Sequence, residues 1–220
     1  MSVQRRERAR DAATCALPLL IVMVLAGALA SARTFDLFDD LYRRGQQQNG
    51  TLRTFIAQFT ETTTSTLLTR PLTARGTVAV ERPARVVLRY VEPDQRVVLI
   101  DGDRMTIVWP SRSVRQTRDI AASQKRVQKY FVDGSPRELR SHFEIAAAPQ
   151  PSGYLVTMVP TRKQIKEGLS RLELSIDATS LLMTSMAMTF PNGDSKVMTF
   201  TDVKPNAPID PAMFRVDGVK

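Results

Sequence analysis

The sequence is poor in the residues on which most catalytic and metal sites depend. It has one cysteine, Cys15, and one histidine, His142, in 220 residues. A Ser-His-Asp triad or a histidine metal site would therefore depend on a single residue, and no Gly-rich phosphate loop or closely spaced acidic cluster is present. We expect no catalytic residue, no metal and no cofactor. At the end of a predicted helix, His142 is interpreted as a capping or packed residue.

Blocks of like charge are also missing, although the formal net charge is +9. The basic residues are scattered over predicted strands and turns, whereas a nucleic-acid-binding surface would gather them on one face and interleave them with aromatic residues. We therefore expect no nucleic-acid partner. The positive charge has two interpretations, which are a solvated surface and an attraction to anionic lipid head groups or an acidic partner.

The N-terminal segment is typical of a secretory signal peptide. A basic start is followed by an apolar run from Cys15 to Ala30 that ends in small residues, and this run is shorter than the roughly 20 residues of a spanning helix. We predict that residues 1–30 direct general secretion and are cleaved, with a retained N-terminal anchor as the alternative. Residues 31–220 are predicted to form one domain that needs no disulfide, because the only cysteine precedes it.

The apolar patterns predict a helix, about six strands, a two-helix insert and about five further strands. The first helix covers residues 36–48, and the insert runs from Ile120 to about His142. Its second helix begins at a capping box, Ser135-Pro136-Arg137-Glu138. A single antiparallel sheet of this many strands should curl strongly or half-close. The predicted fold is therefore α+β and mainly β.

Alternation along the strands predicts one apolar, methionine-rich face and one polar face. The residues expected to line the apolar face are Val78, Val80, Val86, Leu88, Met105, Ile107, Trp109, Leu172, Leu174, Met186, Met188 and Phe190. The residues expected to cover it from the helices are Leu37, Leu41, Ile120, Val127, Tyr130 and Phe131. The helices either fill this face as an ordinary core or leave a cavity for a ligand, and the flexible thioethers of methionine favour a cavity.

The most specific pattern lies between Gly76 and Pro110. Its successive strands and turns are marked by Gly76, Arg82-Pro83, Tyr90, Pro93-Asp94, Gly102 and Pro110. Together they resemble the signature of the periplasmic outer-membrane lipoprotein carrier family, LolA. The hairpin around Gly193-Asp194 and the ending from Asn206 to Phe214 also resemble this family. The resemblance extends over residues 36–217.

The resemblance implies an incomplete antiparallel β-barrel with helices forming a lid over a hydrophobic cavity. It implies a monomeric periplasmic chaperone that shields the acyl chains of lipoproteins, or of a related lipid, between an inner-membrane transporter and an outer-membrane acceptor. Arg82 matches the family arginine that holds the lid closed. A guanidinium has five donors with which to bind helix carbonyls, although an arginine at a strand end is also commonly a solvated rim residue.

The resemblance does not identify the cargo, because Val86 and Leu88 stand where the family has aromatic residues. A LolA-like regulator that senses lipids, or a carrier of another acylated product, is therefore an alternative to a lipoprotein carrier. If the N-terminal segment is retained, an anchored structural protein is a further alternative.

Overall fold

One sheet of eleven antiparallel strands dominates the residues that the computed structural model describes, which are 36–127 and 135–216. The strands are β1 Thr54–Thr64, β2 Leu72–Glu81, β3 Arg85–Glu92, β4 Arg96–Asp101, β5 Arg104–Trp109, β6 Val114–Asp119, β7 Phe143–Gln150, β8 Gly153–Pro160, β9 Arg171–Asp177, β10 Met183–Thr189 and β11 Ser195–Pro205. The α-helices are α1 Leu37–Asn49, α2 Ala121–Val127, α3 Pro136–Arg140 and α4 Lys163–Lys166, and short 3-10 helices cover Pro110–Arg112 and Pro211–Phe214.

The strand order consists of two runs that meet in the middle of the sheet. From one edge to the other it is β6-β5-β4-β3-β2-β1-β11-β10-β9-β8-β7, and the central pair β1 and β11 is antiparallel. Because β6 and β7 are the two edge strands, the sheet is open between them. The chain segment that joins these edges contains α2 and α3. The open, mainly β fold with a helical insert confirms the predicted fold class.

Glycines occupy the tight points of this sheet. The hairpins β4–β5 and β10–β11 turn at Gly102 and Gly193, whose φ angles of 56° and 86° cost a glycine little. Gly76 lies within β2 at a close approach, since a Cβ there would be 2.1 Å from the carbonyl oxygen of Arg89 and 2.9 Å from the ring of Phe59. The glycine that leads the predicted strand is therefore required by packing between strands.

Side-chain caps position the first and third helices. Asp36 caps α1 by accepting a hydrogen bond from the backbone N of Asp39 at 3.2 Å. The predicted capping box begins α3, where the N of Glu138 donates to Ser135 Oγ at 3.2 Å and the N of Ser135 donates to Glu138 Oε2 at 2.8 Å. The side chains that these helices bury are Phe38, Leu41 and Leu139.

Buried side chains on the inner side of the sheet, here called the apolar face, form two clusters that divide this face into two halves. The helix-covered half consists of Phe38, Leu41, Leu139, Phe143, Val156, Met158 and Leu172, with partly buried neighbours that include Leu37, Leu174, Met186 and Met188. The open half consists of Ala57, Phe59, Ala74, Val78, Tyr90, Met198 and Phe200, with partly buried neighbours that include Val80, Val86, Leu88 and Val98. Met186 pairs with Met198 across β10 and β11, so the two halves belong to one face.

The opposite, outward face is not uniformly polar, which corrects the prediction. A buried cluster on this face consists of Ala79, Val87, Leu99 and Phe214. The 3-10 helix Pro211–Phe214 covers it, and Arg89 of β3 fixes that helix by donating to the carbonyl oxygens of Met213 and Arg215, both at 2.8 Å. Part of the outward face is therefore a second, smaller core.

Several element boundaries differ from the predictions. The helix expected from Ile120 begins at Ala121, because Asp119 Oδ1 accepts the N of Ala121 at 2.8 Å. Phe190 lies beyond β10, since its N donates to the carbonyl oxygen of Asp194 at 2.9 Å in the turn that follows. The short helix α4 was not predicted. Among the described residues, no helix is long and apolar enough to cross a membrane.

Candidate functional site

The helix-covered half of the apolar face contains a small cavity. Its volume is about 200 Å³. It is lined by Phe38, Leu41, Tyr42, Leu139, Val156, Met158, Leu174, Ile176 and Leu181. Ligand pockets generally measure about 300–1,000 Å³. Helices α1 and α3 thus fill most of the space above strands β7 to β10.

The open half is less completely covered. Val78 is buried, but Val80, Val86 and Leu88 are only partly buried. Farther along the same face, β5 contributes three partly exposed side chains, Met105, Ile107 and Trp109. Ile107 pairs with Val98 of the open half, which places β5 on the same surface. Partly exposed apolar side chains on four neighbouring strands, β2 to β5, therefore form a continuous surface.

The predicted covering residues are found in three situations. Leu37 and Leu41 lie on α1 and pack into the helix-covered half. Ile120 is half-buried just before α2, and Val127 is the last residue of that helix. Tyr130 and Phe131 lie outside the described residues.

Arg82 lies in the turn between β2 and β3, with an exposed side chain. Its backbone N donates to the carbonyl oxygen of Arg53 at 2.9 Å. Within residues 36–127 and 135–216, its guanidinium makes no hydrogen bond or ion pair. The insert residues 128–134 are not described, so the predicted latch stays a prediction.

A different arginine, Arg140, connects two helices over the apolar face. From α3 it donates to Asp36 Oδ2 and, at 3.0 Å, to Asp39 Oδ1. Its guanidinium also lies 5.1 Å from the ring centroid of Phe38 on α1. One side chain therefore holds the cap and first turn of α1 to α3. The sequence did not predict this contact, because the partners are about one hundred residues apart. The only signal in the sequence was a basic residue on one short helix and two acidic residues on another.

A second pocket, here called the charged pocket, lies at the end of the open half. It has a volume of about 420 Å³. It is lined by Glu61, Thr63, Leu72, Ala74, Tyr90, Glu92, Pro93, Asp94, Arg96, Trp109, Arg112 and Lys196. These residues come from β1 to β5, from β11, from the turn between β3 and β4, and from the 3-10 helix after β5. Sequence reasoning did not find this pocket, because only the strand register brings these residues together.

Glu61 organises the inner wall of the charged pocket. Its side chain is buried, with 6% of its surface exposed. The hydroxyl of Tyr90 donates to Glu61 Oε2 at 2.8 Å, and Lys196 Nζ donates to Glu61 Oε1 at 3.0 Å. Burial, followed by the hydrogen bond to Glu61, raises the pKa of Tyr90 to about 12. A buried carboxylate is costly unless it is paired and hydrogen-bonded, and here both conditions hold.

Arg96 forms another wall of the same pocket. Its guanidinium stacks 3.9 Å from the ring centroid of Tyr90. Its Nε is buried and has no hydrogen-bond acceptor among the described residues.

No group of three or more His, Cys, Asp or Glu residues in the described part of the chain could hold a metal ion.

Known proteins resemble this chain in sequence and in fold. Residues 50–217 match the family described as "Outer membrane lipoprotein carrier protein LolA". An outer-membrane lipoprotein carrier protein of Pseudoalteromonas translucida is 21% identical over 203 residues, which cover 88% of this chain and 89% of that protein.

Two solved structures share the fold at low sequence identity. An uncharacterized conserved protein from Thermus thermophilus superposes with a TM-score of 0.50 at 10% identity, over 80% of this chain and 90% of the other. MucB superposes with a TM-score of 0.50 at 14% identity, over 82% of this chain and 62% of the MucB chain. The chain therefore spans less than two thirds of MucB, and both likenesses concern the fold alone.

Proposed function

Because the chain belongs to the outer membrane lipoprotein carrier protein LolA family, we propose that it is a periplasmic carrier of acyl chains. Its cargo is the acylated end of a lipoprotein or a related lipid, which it shields during transfer towards the outer membrane. The partners proposed for a monomeric carrier are an inner-membrane transporter, which delivers the cargo, and an outer-membrane acceptor. The predicted export segment at residues 1–30 supports the periplasmic location.

The observation that carries this proposal is the partly exposed apolar surface on strands β2 to β5. A soluble domain seldom leaves such a surface without a use. Each methylene that moves from water onto it contributes roughly 0.8 kcal/mol, so a few alkyl chains bind well without any polar recognition. The open half is therefore the first place where we expect an acyl chain to bind.

The helix-covered half offers further room only if its helices move. A cavity of about 200 Å³ is smaller than pockets of about 300 Å³ and more that hold ordinary ligands. Displacing α1 and α3 would expose Val156, Met158 and Leu172, which the helices now bury. We propose that binding of cargo separates these helices from the sheet and that release returns them.

We propose Arg82 as a latch on this movement. It stands beside the strands of the open half, and its five N–H donors suit the free carbonyl groups of a helix end. The rate at which an Arg82→Leu variant binds a hydrophobic dye is the measurement that tests this role. Arg140, which bridges α3 and α1, would act as a second restraint on the same movement.

The carrier function is tested by displacing a hydrophobic fluorescent dye with a long-chain fatty acid. Val86→Gln places an amide on the open half of the apolar face, whereas Val197→Gln makes the same change at an exposed outward position of β11. We expect Val86→Gln to weaken fatty-acid binding about fivefold or more, because burial of a valine side chain contributes about 1.5 kcal/mol or more. Val197→Gln should bind like the wild type.

Circular dichroism and thermal unfolding check that both variants keep the fold. Equal affinities in Val86→Gln and Val197→Gln would show that chains do not bind on the open half. Failure of the wild-type protein to bind any fatty acid would contradict the carrier proposal itself.

A further inference from the structure

The charged pocket and the open half of the apolar face are continuous. Ala74 and Tyr90 belong to the apolar cluster and also line the pocket. Trp109 lies on the same face at the end of β5 and lines the pocket as well. An alkyl chain lying along the open half therefore has its end beside a polar pocket of about 420 Å³.

The acidic groups that line this pocket already have cationic partners. Lys196 Nζ lies 3.0 Å from Glu61 Oε1. Arg112 lies 2.7 Å from Asp94 Oδ2, and Arg75 lies 3.3 Å from Glu92 Oε2. Each carboxylate of the lining thus has a cationic partner within the described part of the chain.

Arg96 also lines the pocket, and none of these ion pairs includes it. Its guanidinium carbon lies 3.9 Å from the ring centroid of Tyr90, and its Nε is buried without an acceptor among the described residues. A buried donor that lacks a partner costs free energy, which an incoming acceptor would recover. The planar fork of arginine is suited to phosphate and carboxylate groups, because it donates two parallel hydrogen bonds to them.

We propose that the charged pocket binds the anionic head group, a phosphate or a carboxylate, of an amphiphile whose alkyl chain lies on the open half of the apolar face. Arg96 makes the principal contact with the anion, and Tyr90 positions Arg96 by stacking. Glu61 remains paired with Lys196 and excludes further anionic charge from the inner wall. This inference rests on the proposed carrier function, because it adds a polar end to the acyl cargo.

Two probes with the same alkyl chain test the head-group site. Dodecyl phosphate and the uncharged tetraethylene glycol monododecyl ether are compared by dye displacement, both below their critical micelle concentrations. We expect the wild-type protein to bind dodecyl phosphate about tenfold more tightly, as charge-assisted hydrogen bonds allow. Arg96→Gln should remove that difference and leave binding of the ether unchanged. Arg115→Gln, a matched change on the outward side of β6, should keep the difference.

The outcomes separate this inference from the function on which it rests. Equal affinities of the two probes for the wild-type protein would overturn the head-group site and leave the carrier function standing. Failure of both probes to bind would contradict the carrier function. Inorganic phosphate, tested as a competitor of the dye, distinguishes a free anion from a lipid head group. If inorganic phosphate competes as strongly as dodecyl phosphate, the pocket binds a free anion and the amphiphile site is wrong.

Discussion

Tyr90 links the apolar and charged parts of the site through a single side chain. Its ring packs edge-on against Phe59 with centroids 4.9 Å apart, and its hydroxyl donates to Glu61. The ring also supports the guanidinium of Arg96. Burial disfavours the phenolate form, the hydrogen bond to Glu61 favours the protonated hydroxyl, and ionisation would place a second negative charge beside the buried carboxylate, so the pKa of Tyr90 rises to about 12.

The raised pKa of Tyr90 predicts a loss of stability at alkaline pH. Its ordinary value is 10.0 and its value in the folded protein is about 12. Between these pH values the unfolded chain releases the proton while the folded protein retains it. The stabilisation is thus fully present below pH 10 and is lost as the pH rises towards 12. Urea unfolding measured across this range should show a shallower decline for Tyr90→Phe than for the wild-type protein.

Two results would bear on that prediction. At neutral pH the same variant should lose about 1 kcal/mol, because Glu61 keeps only Lys196 as a partner. Parallel declines of stability in Tyr90→Phe and wild type above pH 10 would show that this hydroxyl does not carry the alkaline sensitivity.

At the residue scale, the sequence predicts which face of the sheet a side chain occupies better than it predicts which side chains contact each other. Alternation assigned Val78, Val86 and Leu88 to a single side, because side-chain direction in a strand has a period of two. The contacts of Arg96 with Tyr90 and of Arg140 with Asp36 join different elements. The pairing of β3 with β4 brings the first two residues together, and the packing of α3 beside α1 brings the second two together. The role of Arg82 as a latch stays a prediction.

The side chain of Arg140 joins helices α1 and α3. Its side chain is 32% exposed and its partners Asp36 and Asp39 are 44% and 53% exposed, so the ion pairs are partly screened. We expect Arg140→Met to weaken the attachment of α1 by about 1 kcal/mol. Hydrogen exchange of the α1 amides should then be about fivefold faster, and hydrophobic dye should bind faster.

Two further variants complete this test of the helices. Arg137→Met makes the same change at an exposed position of α3 and should leave α1 unchanged. Arg82→Leu should also bind dye faster, since it removes the proposed latch. Wild-type dye kinetics in Arg82→Leu would reject the latch, and wild-type exchange in Arg140→Met would reject the coupling of the two helices.

At the element scale, the sequence predicted the order of strands and helices from two signals. These are the turn residues and the change between the strand spacing and the helix spacing of apolar residues. Asp-Gly, Asn-Gly and the capping box at Ser135 mark positions where backbone geometry leaves few choices. Helix α4 escaped prediction because it has four residues and no side-chain cap. The 3-10 helix at Pro211–Phe214 escaped as well, although Asp210 accepts the N of Ala212 at 2.8 Å and so supplies a local signal for its start.

The whole molecule combines an open sheet with a strongly basic sequence. Both edges, β6 and β7, lack a partner strand among the described residues. All six residues of β6 are exposed, and its arginines discourage pairing with another chain. The β6 edge is therefore protected against pairing with another chain. The apolar face of the sheet selects the length and shape of an alkyl chain rather than its chemical identity.

Mass spectrometry of the molecules that co-purify with the protein from its native cells tests the proposed acyl cargo most directly. We expect an acylated lipoprotein or lipid, recovered in smaller amount from Val86→Gln and in wild-type amount from Val197→Gln. If no acylated molecule accompanies the wild-type protein, and none binds when added to the purified chain, the apolar face is an ordinary hydrophobic core and the carrier function is wrong.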